Sequence, residues 1–301
     1  MGLAASKRLL KTDHRLVLTA REGSLHRFAE AGIVNNERVR IVALDVTSKQ
    51  QRRSAVEQTM TAFGGVDALI NNAGISYRSV AEHVTQRELL LQMSVNFHAP
   101  MEMTRLVLPH MRWQRWGRIL NVSSVGGMMA MPTMGAYSAS KWALEGMSEA
   151  LWYEVKPWNI RVSLIEPGFI NSGGFENVRF TGQSREGLSR VSDPYFTHYA
   201  TMSAFIAKIM RRTWATSDSV AKTILHTLER KHPPLRVPAT LDAHLFALLR
   251  RLLPRRLYHA VLYRSLPGIR RWGFRGDFVH LPQPRTRSGR AKLRKSRAEN
   301  A

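Results

Sequence analysis

The chain has 301 residues and carries 45 Lys plus Arg against 22 Asp plus Glu, which gives a formal net charge of +23. It contains no cysteine. This excludes disulfide bridges, thiolate nucleophiles and cysteine-based zinc or iron–sulfur sites. A hydrophobic fraction of 44% excludes a wholly disordered chain. Because no apolar run reaches the roughly 18 residues of a membrane span, and no signal-peptide pattern opens the chain, we expect a cytoplasmic protein.

Strand-like and helix-like segments alternate along the chain. Predicted strands cover 14–19, 39–44, 67–70, 118–122 and 160–165, with a proline-limited edge strand at 235–238. Predicted helices cover 25–30, 49–63, 85–111, 137–155 and 217–230, and a leucine-patterned helix ends before Pro254. Residues 171–200 are rich in Gly, Ser and Asn and predict a long irregular loop. The alternation predicts a parallel sheet covered by helices.

Tyr137 and Lys141 are spaced in a way that indicates chemistry. They lie four apart in a predicted helix, so both side chains project from one face, a turn apart. A phenol with a pKa of about 10 is a poor proton shuttle at neutral pH, whereas an ammonium within about 4–6 Å favours the phenolate. The pair can therefore serve as an acid–base unit. Ser124 ends the preceding strand at the carboxyl edge of the sheet, where open α/β folds bind ligands.

Several motifs around this pair follow one another in the order of a known family. They are LDV at 44–46, NNAG at 71–74, VN at 95–96, NVSSVGGMMAMPTMGAYSASKWALEG at 121–146 and PGFINS at 167–172. Together they resemble the short-chain dehydrogenase/reductase family, closely over residues 2–172 and loosely to residue 240. The resemblance implies a Rossmann-like doubly wound parallel sheet with helices on both faces. It also implies hydride transfer between a nicotinamide cofactor and a carbonyl or secondary alcohol.

The resemblance assigns catalytic roles to four residues. Tyr137 would be the acid/base that gives a proton to a carbonyl oxygen or takes one from an alcohol. Lys141 would lower the tyrosine pKa and hydrogen-bond the nicotinamide ribose. Ser124 would hold the substrate oxygen, and Asn96 would position a water in a proton relay to Lys141.

The resemblance also assigns the cofactor contacts. Besides Tyr137 and Lys141, the implied positions are Gly2 and Arg21, Asp45 and Val46 beside the adenine, Asn72, Ala73 and Gly74 on the adenosine side, and Pro167, Gly168, Ile170 and Ser172 at the nicotinamide. Asn71 is expected to tie neighbouring strands together instead. The family also implies a homo-oligomer.

Arg21 bears on the choice of cofactor. It follows a strand at the point where dinucleotide folds discriminate the ribose 2′ position. A guanidinium there can pair bidentately with a 2′-phosphate, so the pair Ala20-Arg21 resembles the pattern that prefers NADP over NAD.

The N-terminal text departs from the family pattern. The family opens with a strand and a glycine motif, whereas this chain matches only from the last glycine, which would be Gly2. The first strand and two glycines are thus missing from the recorded chain. Either the recorded start is an internal Met of an active enzyme, or the chain is a truncated, non-catalytic relative with impaired cofactor binding. An apolar substrate is indicated by the methionine-rich segment 128–134, and the residues around Ser124 and Tyr137 look similar to hydroxysteroid and retinol dehydrogenases.

The C-terminal part differs in composition from the rest. We expect a catalytic domain at 1–240, an amphipathic helical segment at 241–270 and a basic, disordered tail at 271–301. Residues 251–300 hold fourteen Lys or Arg and two acids, yet no base-reading element that would indicate specific nucleic-acid binding is found. The leucines of 241–266 suit a helix that covers the substrate pocket. Because arginines lie beside them, they equally suit weak peripheral contact with the inner surface of an anionic membrane.

Overall fold

The computed structural model describes residues 1–171 and 178–273 and has an α/β architecture. Its strands are β1 (Leu16–Ala20), β2 (Val39–Ala43), β3 (Ala68–Asn71), β4 (Tyr77–Arg78), β5 (Gly117–Val122), β6 (Ile160–Glu166), β7 (Arg179–Phe180) and β8 (Arg236–Pro238). A four-stranded sheet has the order β3-β5-β6-β8, while β1 pairs with β2 and β4 with β7. Every pairing is parallel, which confirms the expected Rossmann-like fold.

Helices cover both faces of the four-stranded sheet. They are α1 (Gly2–Leu9), α2 (His26–Glu30), α3 (Lys49–Phe63), α4 (Gln86–Met93), α5 (Ala99–Trp113), α6 (Gly135–Val155), α7 (Gly182–Ser189), α8 (Phe196–Arg212), α9 (Ser217–Glu229), α10 (Leu241–Leu252) and α11 (Arg255–Ser265). On one face α5 and α6 bury Met111 and Leu151 against Ile119 and Val162. On the other face α1 and α9 pack on β5 and β6. Of the helices in the described chain, none combines the length and apolar character needed to cross a bilayer.

The strands form three separate parallel sheets in the described chain. β1 and β2 make ladder hydrogen bonds only with each other there. A cavity of about 1190 Å³ lies between β1 and β3, and its lining includes Leu16, Leu18 and Leu69. The β1–β2 pair is attached to the rest by side-chain packing, in which Leu9 of α1 and Leu228 of α9 take part.

Two segments differ from the sequence-based expectation. The expected loop at 171–200 was wrong, since it contains β7, all of α7 and the start of α8, with residues 172–177 outside the described chain. Thr181 caps α7 by accepting a hydrogen bond from the Ser184 backbone N–H at 3.0 Å, which stabilises a helix of weak formers. The expected helix at 85–111 is interrupted by a π-turn at Ser94–His98 between α4 and α5.

Candidate active site

Ser124 and Tyr137 meet at the carboxyl end of β5, as the sequence indicates. Ser124 follows β5 and Tyr137 lies in the first turn of α6, close enough for the Ser124 hydroxyl to lower the pKa of the phenol. The Ser124 Oγ also accepts a hydrogen bond from the Gly126 backbone N–H at 3.1 Å. A Cβ on Gly126 would lie 2.9 Å from Cε1 of Tyr137, so the absence of a side chain there lets the ring pack against this loop. The pair presents two hydroxyl groups in one half-buried place.

Lys141 lies one helical turn after Tyr137 and is buried. Its Nζ donates to the Val122 carbonyl oxygen at 2.7 Å and lies 5.9 Å from the centroid of the Tyr137 ring. Burial lowers the pKa of Lys141 to about 8, an effect that the nearby charge of Glu145 opposes.

The pKa of Tyr137 is raised in this structure, and the lowering of that pKa by Lys141 stays a prediction. Burial raises the pKa of Tyr137 above its ordinary value, and the Ser124 hydroxyl offsets this only in part. The Lys141 ammonium group is directed to a backbone carbonyl in this structure.

Asn96 is fully buried in the π-turn between α4 and α5. Its Oδ1 accepts from the Ile75 backbone N–H at 2.9 Å, and its Nδ2 donates to the Ile75 carbonyl at 2.9 Å and to Ser140 Oγ at 3.0 Å. A Cβ on Gly74 would lie 3.5 Å from Asn96 Oδ1 and 3.9 Å from Lys141 Nζ. Asn96 therefore fixes the loop after β3 beside Lys141.

Asn71 has the structural role that the sequence predicts. Its Nδ2 donates to Asn121 Oδ1 at 2.8 Å, directly across the β3–β5 ladder. Asn121 in turn donates to Ser148 Oγ on α6 at 2.8 Å. This chain of amides holds two strands and a helix in register behind the site.

The predicted adenosine-side residues are brought together around the cavity beside β1. Its lining includes Gly2, Arg21, Asp45, Val46, Asn72, Ala73 and Gly74. The Asp45 side chain accepts from the Thr47 hydroxyl at 2.7 Å and backbone N–H at 2.9 Å, and these bonds, with a smaller contribution from the charge of Arg21, lower its pKa.

The cavity chemistry fits a dinucleotide. The Oδ1 of Asn72 is buried and accepts no hydrogen bond from the part of the chain that the structure describes, so a ribose or adenine donor can satisfy it. The first turn of α1 lies against the same side chain, since a Cβ on Gly2 would come 2.7 Å from Asn72 Nδ2. Arg21, exposed at the end of β1, adds a positive charge to the same cavity.

The loop after β6 lies next to Ser124. The Pro167 carbonyl accepts from the Val125 backbone N–H at 2.9 Å, and Ile170 is buried. The Gly168 N–H donates to Thr240 Oγ1 at 2.9 Å, and the Phe169 N–H donates to Asp242 Oδ2 at 2.8 Å, so α10 holds this loop. Ser172, the remaining predicted contact, lies outside the described residues.

A buried ionic cluster behind the lysine was missed by sequence reasoning. Arg236 of β8 hydrogen-bonds the buried Glu145 and donates to the buried Glu166 at 2.9 Å and to Glu149 at 3.0 Å. Glu145 also accepts from Ser123 Oγ at 2.7 Å. Burial, together with the charge of Glu145, raises the pKa of Glu166 to about 7. The available signals were an acid one turn after Lys141 and another ending an apolar strand.

The fold and the site together define a class of protein. A doubly wound sheet with a hydroxyl pair and a lysine at its carboxyl edge, and a cavity beside β1, is the arrangement of a nicotinamide-dependent oxidoreductase. The family described as short chain dehydrogenase matches residues 1–181. The chain belongs to the short-chain dehydrogenase/reductase family.

Individual relatives agree with this assignment. A 3-ketodihydrosphingosine reductase from Bacteroides thetaiotaomicron is 38% identical over 205 residues, which cover 67% of this chain and 73% of that protein. A short-chain dehydrogenase structure from Streptomyces avermitilis has a TM-score of 0.69 at 26% identity and covers 87% of this chain and 92% of its own. A family member from Burkholderia phymatum, solved in complex with NAD, has a TM-score of 0.68 at 25% identity, with 88% and 92% covered.

Proposed function

We propose that this protein is an NADP-dependent reductase of a ketone on a long-chain, lipid-like substrate. The observation that carries the proposal is the juxtaposition of Ser124 and Tyr137, both next to Gly126, beside the buried Lys141. When bound, the nicotinamide supplies the hydride that reduces the carbonyl carbon.

The side chains of the site handle the oxygen and the proton. Ser124 Oγ donates a hydrogen bond to the carbonyl oxygen, which orients the substrate and stabilises the developing negative charge. Because its pKa is raised, the Tyr137 phenol keeps its proton at neutral pH and donates it to that oxygen. In the reverse direction the phenolate would accept the alcohol proton. Lys141 stabilises the phenolate that remains after protonation of the substrate.

The substrate class rests on the surroundings of the site and on one relative. Val125 and Met128 follow Ser124 and pack with Ala243 of α10, so an apolar wall backs the loop that carries Ser124. The Bacteroides relative is a 3-ketodihydrosphingosine reductase, and a long-chain amino ketone of that kind matches an apolar wall.

The preference for NADP rests on Arg21. Its guanidinium is exposed at the end of β1 and lines the same cavity as Asp45 and Val46. A 2′-phosphate at this position would gain charge-assisted hydrogen bonds that NAD cannot make. The Burkholderia relative was solved with NAD, so the proposal is specific to this chain's own arginine.

The test of the proposal is NADPH-dependent reduction of 3-ketodihydrosphingosine compared with reduction of a short ketone such as acetone. We expect turnover of the long-chain ketone and little of the short one. Turnover of the short ketone alone would contradict the proposal of a lipid-like substrate, but it would still support an oxidoreductase.

A non-catalytic protein of the same fold is the second candidate. The observation that favours it is the separation of β1 and β2 from the four-stranded sheet across the cavity. Titration of the purified protein with NADPH discriminates the two candidates, because a reductase must bind NADPH and the non-catalytic protein must not bind it.

A further inference from the structure

α10 has apolar residues on two opposite sides. Ala243, Phe246 and Ala247 pack against Val125 and Met128 beside Ser124. On the other side lies the leucine stripe, which we define as Leu241, Leu245, Leu248 and Leu252. At 3.6 residues per turn these leucines fall within about 60° of one another around the helix. They are between 52% and 81% exposed, so these four leucines are not the residues that cover the Ser124 loop.

The charge around the leucine stripe has one sign. Residues 241–271 contain seven arginines, namely Arg250, Arg251, Arg255, Arg256, Arg264, Arg270 and Arg271, against the single acid Asp242. The Asp242 carboxylate accepts a hydrogen bond from the Phe169 N–H, so it faces the loop after β6. On α11 the apolar Leu257 and Val261, one turn apart, are also exposed. An apolar stripe accompanied by arginines alone is typical of helices that lie in the interface of an anionic bilayer.

A second copy of this chain is a poorer occupant of the same surface. In a two-fold contact the same patch faces itself, which would bring the arginines of one copy against those of the other. Like charges placed across an interface disfavour association. Anionic phospholipid headgroups, in contrast, complement the arginines of the set other than Arg250, which donates to the Met128 carbonyl.

We propose that α10 and α11 form a peripheral docking surface for an anionic phospholipid bilayer, with the leucine stripe at the acyl boundary and the arginines at the headgroups. This proposal deepens the proposed function. The route that it gives to the substrate rests on the proposed reductase activity. α10 holds the Ser124 loop from its buried side, and Arg250 donates to the Met128 carbonyl. A lipid-like ketone leaving the bilayer would therefore emerge next to the hydroxyl pair.

Vesicle flotation of the full chain tests the proposal. We expect binding to phosphatidylcholine vesicles that contain phosphatidylglycerol, weak binding to phosphatidylcholine alone, and release at high salt. The double variant Leu245→Gln/Leu248→Gln should lower the partition coefficient about tenfold or more, because two apolar side chains no longer enter the interface. Arg251→Gln should lower it about fivefold.

Matched variants control for folding and for net charge. Val34→Gln replaces an apolar side chain that is 61% exposed in a loop, and Arg53→Gln removes an exposed arginine from α3. Both should bind vesicles like the native protein, and all variants should keep the native far-ultraviolet circular dichroism.

Three outcomes would overturn the proposal. The first is equal binding to neutral and anionic vesicles, and the second is undiminished binding of the leucine variant. The third is a fall in molar mass by light scattering in the leucine variant without loss of vesicle binding, which would assign the stripe to a second copy. Because flotation uses no NADPH, failure of the proposed reductase activity would leave its result unchanged.

Discussion

Tyr137 is the residue whose environment sets its own protonation state at neutral pH. Burial raises the pKa of its phenol, so the group is protonated throughout the neutral range and is ready to donate. The pKa of Lys141 is lowered to about 8, so the ammonium form persists at neutral pH and is lost as the pH rises through that value. A protonated phenol beside an ammonium is the state that reduction of a ketone requires.

Gly126 fixes the place of the Tyr137 ring. A methyl group there would lie 2.9 Å from Cε1 and 3.2 Å from Cδ1, closer than ordinary contacts allow. We expect Gly126→Ala to lower kcat about tenfold or more by displacing the phenol, while NADPH affinity stays unchanged. Gly135→Ala is the control, since a Cβ there meets nothing within 4 Å. Native turnover in steady-state assays of Gly126→Ala would show that the ring position is not critical.

Arg21 is expected to select the cofactor. Arg21→Asp should weaken NADPH binding about tenfold or more, because a charge-assisted pair with the 2′-phosphate is replaced by repulsion. NADH affinity should stay the same or improve. Arg53→Asp makes the same charge change at an exposed site outside the cavity lining and should alter neither affinity. Equal loss of NADPH affinity in both variants, measured by fluorescence titration, would show that the effect comes from net charge and not from the position of Arg21.

Among the elements, β6, β8 and α6 share the ionic cluster behind the lysine. The pKa of buried Glu166 is raised to about 7 from 4.5, so the folded state binds a proton that the unfolded state releases. A raised pKa stabilises the fold fully below pH 4.5, and this stabilisation is lost as the pH rises to about 7.

Glu166→Gln should remove that pH dependence. In the native protein this group alone should lower the free energy of unfolding by up to about 3 kcal/mol as the pH rises from 4.5 to 7. Urea unfolding at several pH values measures the slope. Glu149 contacts the same arginine from a half-exposed position, so the variant Glu149→Gln should retain the native slope. An unchanged slope in Glu166→Gln would show that a group other than Glu166 causes the pH dependence.

The regular elements were predictable because their patterns are local. Helix α3 was predicted at its observed bounds, since Gly64 adopts the left-handed conformation that ends it. The observed strands β1, β2, β3, β5 and β6 differ from the predicted ranges by at most two residues at either end. Helix α7 was not predicted, because its two glycines are weak helix formers and the cap at Thr181 had no apolar pattern behind it.

Only the residues of the candidate site that lie in sequence motifs were predictable. Ser124, Tyr137 and Lys141 meet as their spacing indicates, because one strand end and one helix face fix all three. The partners of Arg236 lie 70 to 91 residues away from it and are joined only by the sheet order β5-β6-β8. No local pattern encodes such a contact, and none encodes which face of α10 is buried.

At the scale of the whole molecule, three regions have different proposed roles. In the proposed function, the β1–β2 pair carries Arg21 and Asp45 for the adenosine side, and the end of β5 with α6 carries the acid–base residues. α10 covers the loop after Ser124 and turns its leucines outward. The account therefore places the cofactor on one side of the hydroxyl pair and a lipid-like substrate on the side of α10.

The most direct measurement of the central claim is product formation by the native protein and by Tyr137→Phe. Both are incubated with NADPH and 3-ketodihydrosphingosine, and the alcohol is quantified by mass spectrometry. The account predicts alcohol from the native protein and at least about a hundredfold less from the variant, because the proton donor is gone. NADPH affinity of the two should agree within several-fold, since the ring and Lys141 remain. Native-like alcohol formation by Tyr137→Phe would contradict the account.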